Sequence, residues 1–210
     1  MTNRKVILAR HGQTELNRVG IIQGSGVDPS LNEEGRVQAE ELFAALDGQI
    51  DFVGSSGMKR AKETAEPFIK AGLPYYEDTN FREICWGEYE GKVAHADMKK
   101  TYSALLQNWE NGNLSARIAG GESAAELADR LQTGWSELLK QDFKTALIVL
   151  HGRALRCLAC WLNGDVVSQM NNYAHANGGY YVIEVGTDNS WVVTDQNVTT
   201  HLAKTEIFHR

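Results

Sequence analysis

The chain has 210 residues, 42% of them hydrophobic and 23% charged, with a formal net charge of −6. These proportions describe a globular protein of one large or two small domains, and the acidic balance argues against general nucleic-acid binding while leaving room for a local cationic pocket that holds an anion. No apolar stretch approaches the length of a membrane span, and the four apolar residues that follow Met1–Lys5 are too few for a signal-peptide core.

In chain order, Val6–Ala9 is a short continuous apolar run that suits a strand buried on both faces. It leads directly into Arg10-His11-Gly12, with Thr14 and Asn17 just beyond. Residues 18–30 form a Gly-containing loop with Gln23-Gly24 and Asp28-Pro29. Asn32 is placed to cap a helix whose apolar positions are Val37, Ala39, Leu42, Phe43 and Leu46, stopped by Asp47-Gly48. Ile50–Val53 is a second strand candidate, followed by Gly54-Ser55-Ser56-Gly57. Ser55 and Ser56 are either turn residues or, for Ser56, the cap of a helix through Met58, Ala61, Ala65 and Phe68. Arg60 falls in the first turn of that helix and would point back toward the strand ends.

Residues 81–91 mix aromatics, carboxylates and glycines without periodicity and read as an ordered loop, a class that is often functional. Trp86 and Tyr89 in it either line a pocket mouth or simply pack. Residues 94–111 are expected to be helical, and 92–121 to form a small cap inserted into a single domain over 1–210. A helix of roughly 20 residues starts at Ser123, judged by Leu127, Leu131, Trp135 and Leu138. Thr145–Leu150 then repeats the opening pattern as a buried strand ending in His151-Gly152, followed by a helix over 154–162 that is apolar nearly all round. Tyr180–Val185 and Trp191–Thr194 read as a hairpin, and the tail carries His201-Leu202. Strands alternating with helices predict a three-layer α/β/α sandwich on a largely parallel sheet.

Cys85, Cys157 and Cys160 have no framework spacing, which fits a reducing, cytoplasmic setting. Cys157 and Cys160 have redox-motif spacing, but inside an apolar helix they are expected to pack. A zinc site would need four ligands, so no metal or other cofactor is expected. His95 and His175 stand outside any motif.

Two buried strands that each end in His-Gly bring chemistry together. Carboxyl ends of parallel strands share one edge of the sheet, where such folds bind ligands. His11 and His151 could therefore face one pocket, with Arg10, Arg60 and Glu83 at hand. Planar guanidinium groups match phosphate oxygens, so a phosphate ester is the substrate class these residues suit.

The ordered set of motifs resembles the histidine phosphatase superfamily, the phosphoglycerate-mutase-like family. The matching residues are Arg10-His11-Gly12 with Thr14 and Asn17; Gln23-Gly24; Asp28-Pro29 with Leu31 and Gly35; and Ser55-Ser56 with Arg60-Ala61 and Thr64-Ala65. Arg82-Glu83 with Gly87 and Glu90-Gly91, Gly121-Glu122-Ser123, and His151-Gly152 follow in order. The resemblance implies that His11 is a nucleophile that forms a phosphohistidine, that Arg10, Arg60 and His151 hold phosphoryl oxygens, and that Glu83 is the general acid. Glu88 and Glu90 are its neighbouring rivals. It also implies substrate contacts from Gln23, Gly24, Gly152 and Asn17, the last of which could instead cap a turn. Arg153 stands where many relatives have a small or amide residue, and either reaches the substrate or is solvated. Gln13 and Gly57 depart from the family's common Glu and Pro.

Three functions compete. A phosphomonoesterase acting on a small phosphorylated metabolite is preferred over a cofactor-dependent phosphoglycerate mutase. The mutases carry adjacent arginines in a longer insertion, whereas residues 92–121 offer Lys92, Lys99, Lys100 and the single Arg117. A catalytically silent binding or regulatory protein is third, because neither nucleophile nor acid is missing.

Overall fold

The computed structural model describes residues 4–203 and the backbone of 207–208. The strands are β1 (Arg4–Arg10), β2 (Phe52–Ser55), β3 (Tyr75–Glu77), β4 (Thr145–Leu150), β5 (His175–Ala176), β6 (Tyr180–Val185), β7 (Trp191–Val198) and β8 (Ile207–Phe208). The helices are α1 (Glu15–Arg18), α2 (Glu33–Leu46), α3 (Lys59–Lys70), α4 (Ala96–Glu110), α5 (Ala124–Leu138) and α6 (Gly152–Leu162).

Six strands form one sheet in the order β3-β2-β4-β1-β6-β7. The first four are mutually parallel, and β6 and β7 complete the sheet as an antiparallel hairpin. Side chains alternate across a strand, and here that alternation builds two cores. Val6, Leu8, Ala146, Ile148 and Leu150 face α5 and α6 in one cluster. Ile7, Ala9, Val53, Leu147 and Val149 face α2 and α3 in the other. Both faces of β1 and β4 are covered, which is why these strands are continuous apolar runs.

Local signals set the helix boundaries. Asn32 accepts from Gly35 N to start α2, and Ser123 with Glu126 forms a reciprocal capping box at α5. Several boundaries differ from the sequence reading. Ile50 is a buried lead-in residue and β2 begins at Phe52. Helix α5 has 15 residues because Leu139 already caps it, and the chain turns at Lys140 and Gln141 to enter β4. Val37 is exposed, while α2 buries Gly35, Gln38, Ala39, Leu42 and Leu46. Met58, not Ser56, is the N-cap of α3, because Ser56 is engaged with His151. The short strands β3 and β5 lack the apolar runs that marked the others.

The end of β1 and the start of α2 meet backbone to backbone. A Cβ on Gly12 would lie 2.3 Å from Gly35 O, and one on Gly35 would lie 2.0 Å from Gln13 O. Only two glycines permit this approach. Gly35→Ala is expected to lower the urea unfolding free energy by about 1–3 kcal/mol, the range for overpacking a tight contact. A loss below about 0.5 kcal/mol would show that the helix can move away freely.

Candidate active site

Strand register brings the two histidines side by side. Arg10 lies opposite Leu150 in the parallel β1–β4 pair, and His11 N donates to Leu150 O at 3.0 Å. His11 and His151, the next residues of each strand, have ring centroids 5.1 Å apart, and both are buried.

Fixed donors and acceptors assign their protons. His11 Nδ1 lies 2.7 Å from Gly12 O. A carbonyl only accepts, so Nδ1 carries the hydrogen and Nε2 presents a lone pair. Gly12 is itself held, its N–H donating to Thr64 Oγ1 at 3.0 Å, and Asn177 Nδ2 donates to His11 O at 2.9 Å. At His151 the order is reversed. Arg60 Nε donates to His151 Nδ1 at 3.2 Å, so Nε2 carries the hydrogen and donates to Ser56 Oγ at 2.7 Å. Gly57, beside this serine, has φ of +77°, a conformation closed to the proline common at this position in the family.

Burial and the nearby guanidinium groups of Arg60 and Arg10 hold both rings well below the usual histidine pKa, burial being the larger cause. His175, whose Nδ1 accepts from Arg10 Nη1 at 3.0 Å, is lowered in the same way. Burial also pushes Arg10 down to about 10. Arg60 is fully buried, and four of its five donors find protein acceptors: His151 Nδ1, Val27 O, Asp28 Oδ1 and Gly24 O.

Glu83 closes the site from the 81–91 loop. Its Oε2 accepts from Arg153 N at 2.9 Å, and its Oε1 from Ala154 N at 3.0 Å and Ile84 N at 2.9 Å. The carboxyl group thus sits on the amino end of α6 and accepts backbone N–H groups that the helix leaves unpaired. Glu88 is exposed, and Glu90 accepts from Gly26 N at 2.6 Å and Trp86 N at 2.8 Å, tying two loops together. Arg130 of α5 holds the loop that carries Glu83 from behind, donating to Asn80 O, Arg82 O and Glu83 O at 2.7–3.1 Å while pairing with Glu122.

The remaining candidates differ in what they offer. Asn17 Oδ1 is used by Thr14 N in a capping box on α1, yet Asn17 also lines a cavity of about 390 Å³ beside Arg10 and His175. Gln23 lines the same cavity; its Oε1 lies 3.0 Å from Thr14 Oγ1, and its buried Nε2 has no hydrogen-bond partner. Gly24 contributes its carbonyl to Arg60, and Gly152 opens α6 where a Cβ would lie 3.3–3.5 Å from Arg10 Nε and the His175 ring. Arg153 is not solvated. It is 5% exposed and donates to Asn171 Oδ1 at 2.6 Å and Tyr102 OH at 2.8 Å.

Cys157 and Cys160 are buried, and burial pushes both thiols up to about 12, so they are packing residues in this helix. Among the described residues no group of three or more His, Cys, Asp or Glu side chains is arranged to hold a metal ion. Sequence reasoning missed Ser56, Asn177, His175 and Arg130 as partners of the site. Asn177 precedes Gly178-Gly179, which signals only a turn, and Arg130 is one more charge on an amphipathic helix.

Comparison with known proteins gives the arrangement a context. Residues 6–199 match the histidine phosphatase superfamily (branch 1). The chain is 30% identical over 203 residues to phosphoserine phosphatase 1 of Hydrogenobacter thermophilus, covering 95% of each. Among solved structures, the alpha-ribazole phosphatase from Shigella flexneri superposes with a TM-score of 0.80 at 25% identity, covering 92% of this chain and 96% of that one. Bacillus stearothermophilus YhfR superposes with a TM-score of 0.82 at 26% identity, covering 95% and 99%.

Three histidines with lowered pKa values make stability depend on pH. Below about pH 6.5 the unfolded chain binds protons that these buried rings refuse, so the folded state loses ground as pH falls. Urea unfolding should therefore show stability decreasing from pH 7 to pH 5, by at most about 1.4 kcal/mol per pH unit for each ring. A flat profile across that interval would contradict neutral, desolvated histidines.

Proposed function

The chain belongs to the histidine phosphatase superfamily, and from that premise we propose that it hydrolyses the phosphomonoester of a small metabolite through a phosphohistidine on His11. The observation that carries the assignment of the nucleophile is the His11 Nδ1–Gly12 O hydrogen bond, which leaves a lone pair on Nε2 of a ring whose centroid lies 5.1 Å from that of His151, the acceptor of Arg60 Nε.

In the first step Nε2 attacks phosphorus, the N–P bond forms and the ester P–O bond breaks. Arg10, the remaining Arg60 donor and the amide nitrogen of Asn17 take the non-bridging oxygens, where charge accumulates in a loose transition state. The His151 Nε2–H turns from Ser56 to the same group. Glu83 protonates the leaving oxygen. Oε2, which takes one backbone donor against two at Oε1, is the atom with a lone pair left for that proton. In the second step Glu83 accepts a proton from water, the water oxygen attacks phosphorus, and the N–P bond breaks to release phosphate. Side chains fill each role in this scheme, and no metal ion enters it.

Transfer to water is favoured over transfer to a second alcohol by the cations of residues 92–121. Arg117 is the single arginine there and is paired with Glu126 at 2.9 Å, while Lys92, Lys99 and Lys100 are exposed. The proposed unit is one domain with this segment as its cap. Its setting is the cytoplasm, in keeping with three free cysteines, and its partner is the small substrate and not nucleic acid. No helix among the described residues is long and apolar enough to cross a membrane.

Purified protein is expected to hydrolyse 4-nitrophenyl phosphate in the presence of EDTA; full inhibition that added metal reverses would refute a metal-free mechanism. His11→Ala should lower kcat by at least about 10⁴-fold, as loss of a nucleophile does, and near-wild-type turnover in that variant would remove His11 from its role. Glu83→Gln should cost about 10²–10⁴-fold, the usual range for a general acid, with the smaller loss on esters whose leaving group needs no proton. With 3-phosphoglycerate and 2,3-bisphosphoglycerate, phosphate release should outpace isomerisation; the reverse would make the protein a mutase.

A further inference from the structure

The cavity beside Arg10 is walled by Ile21, Ile22, Trp86, Met98 and Tyr102, so that apolar and aromatic surface dominates it. Arg10 and Asn17, which the proposed mechanism sets on the phosphoryl group, also line it, as does Gln23, whose Nε2 has no hydrogen-bond partner. None of its described lining residues is Asp or Glu, and Lys99 stands at its exposed rim. At about 390 Å³ it falls in the size range of small-molecule sites.

The wall is braced from behind. The Arg153 guanidinium donates to Tyr102 OH and lies 5.8 Å from the ring centres of both Trp86 and Trp109. Trp86 stacks on Trp109 with centroids 6.0 Å apart and meets Tyr102 edge-on at 5.2 Å. Asn171 accepts from the same guanidinium and donates to Glu110 at the end of α4. Arg153 also supplies the backbone N–H that holds Glu83 Oε2. One residue therefore ties the acid and the aromatic wall to each other.

The geometry points to this cavity as the subsite for the leaving alcohol, and to a substrate that is the phosphomonoester of an apolar alcohol, neutral or anionic in its body. The inference rests on the phosphatase reading and adds the chemistry of the group released. A polyhydroxylated body would leave its hydroxyl groups against hydrocarbon, which is costly when no partner replaces water. An ammonium group would meet Arg10 and Lys99 with no carboxylate to pair with.

Benzyl phosphate, glycerol 3-phosphate, O-phosphoserine and phosphocholine are all esters of primary alcohols, so their rates compare subsite contacts more than leaving-group chemistry. We expect kcat/KM for benzyl phosphate to exceed each of the other three by about tenfold or more, the scale of hydrophobic-pocket discrimination. Trp86→Ala should collapse the ratio of benzyl phosphate to glycerol 3-phosphate toward one, and Trp86→Phe should keep most of it. Because that ratio is internal to each preparation, partial unfolding of a variant cancels. Equal rates on benzyl phosphate and glycerol 3-phosphate, a preference for O-phosphoserine or phosphocholine, or a ratio unmoved in Trp86→Ala would overturn the inference while hydrolysis itself stands. Failure to hydrolyse any ester, 4-nitrophenyl phosphate included, would overturn the phosphatase reading and this subsite with it.

Discussion

The parallel pairing of β1 with β4 is the constraint on which the site depends. A parallel ladder aligns residues that leave the sheet at the same level, and the Arg10–Leu150 pairing makes His11 and His151 neighbours without any loop having to be trained into position. Both strands are apolar on both faces because helices cover both. A one-residue slip would turn Val6, Leu8, Ile7 and Ala9 to the wrong cores and separate the imidazoles in the same move. Core packing and site geometry are therefore fixed by one register.

A protein of net charge −6 concentrates buried cations at this edge. Arg60 is fully buried, and Arg10 and Arg153 nearly so. Buried charges persist when they are hydrogen-bonded, and here most of the acceptors are uncharged: Gly24 O and Val27 O at Arg60, His151 Nδ1 at Arg60 Nε and His175 Nδ1 at Arg10. The carboxylates set against these cations are Asp28, 3.4 Å from Arg60 Nη1, and the buried Glu83. Burial is the main reason the His11 ring stays neutral, and the cations that would draw in a phosphate dianion act in the same direction.

Much of this was legible in the sequence where a signal was both local and strong. The apolar runs of β1 and β4, the Asn32 and Ser123 caps and the His-Gly termini each announce themselves within a few residues. Arg60 was legible because its place in the first turn of a helix after a strand points it at the sheet edge. What stayed hidden was made by distant partners. Ser56 looks like a cap, but its hydroxyl is taken by a histidine 95 positions away. His175 and Asn177 lie on a short edge strand and its turn, and no periodicity marks them. Arg153 was ambiguous because its environment comes from far along the chain: Tyr102 and Trp109 from α4, Trp86 from the 81–91 loop, and Asn171 from a turn that follows it. The carbonyl that sets the His11 tautomer belongs to the next residue, yet only the turn at Gly12 shows it.

Placement of Glu83 extends the same logic outward. The amino end of α6 receives its carboxyl group, Arg130 of α5 holds its backbone carbonyl while pairing with Glu122, and both helices are already committed to the core. On the proposed mechanism His11 reacts through Nε2 because Gly12 O holds the proton on Nδ1. Rapid quenching of turnover into alkali, followed by peptide mapping and identification of the phosphohistidine isomer, tests it directly. The expected product is a phosphoryl group on Nε2 of His11. Phosphoryl on Nδ1, on His151 or His175, or on no histidine during steady-state hydrolysis would contradict it.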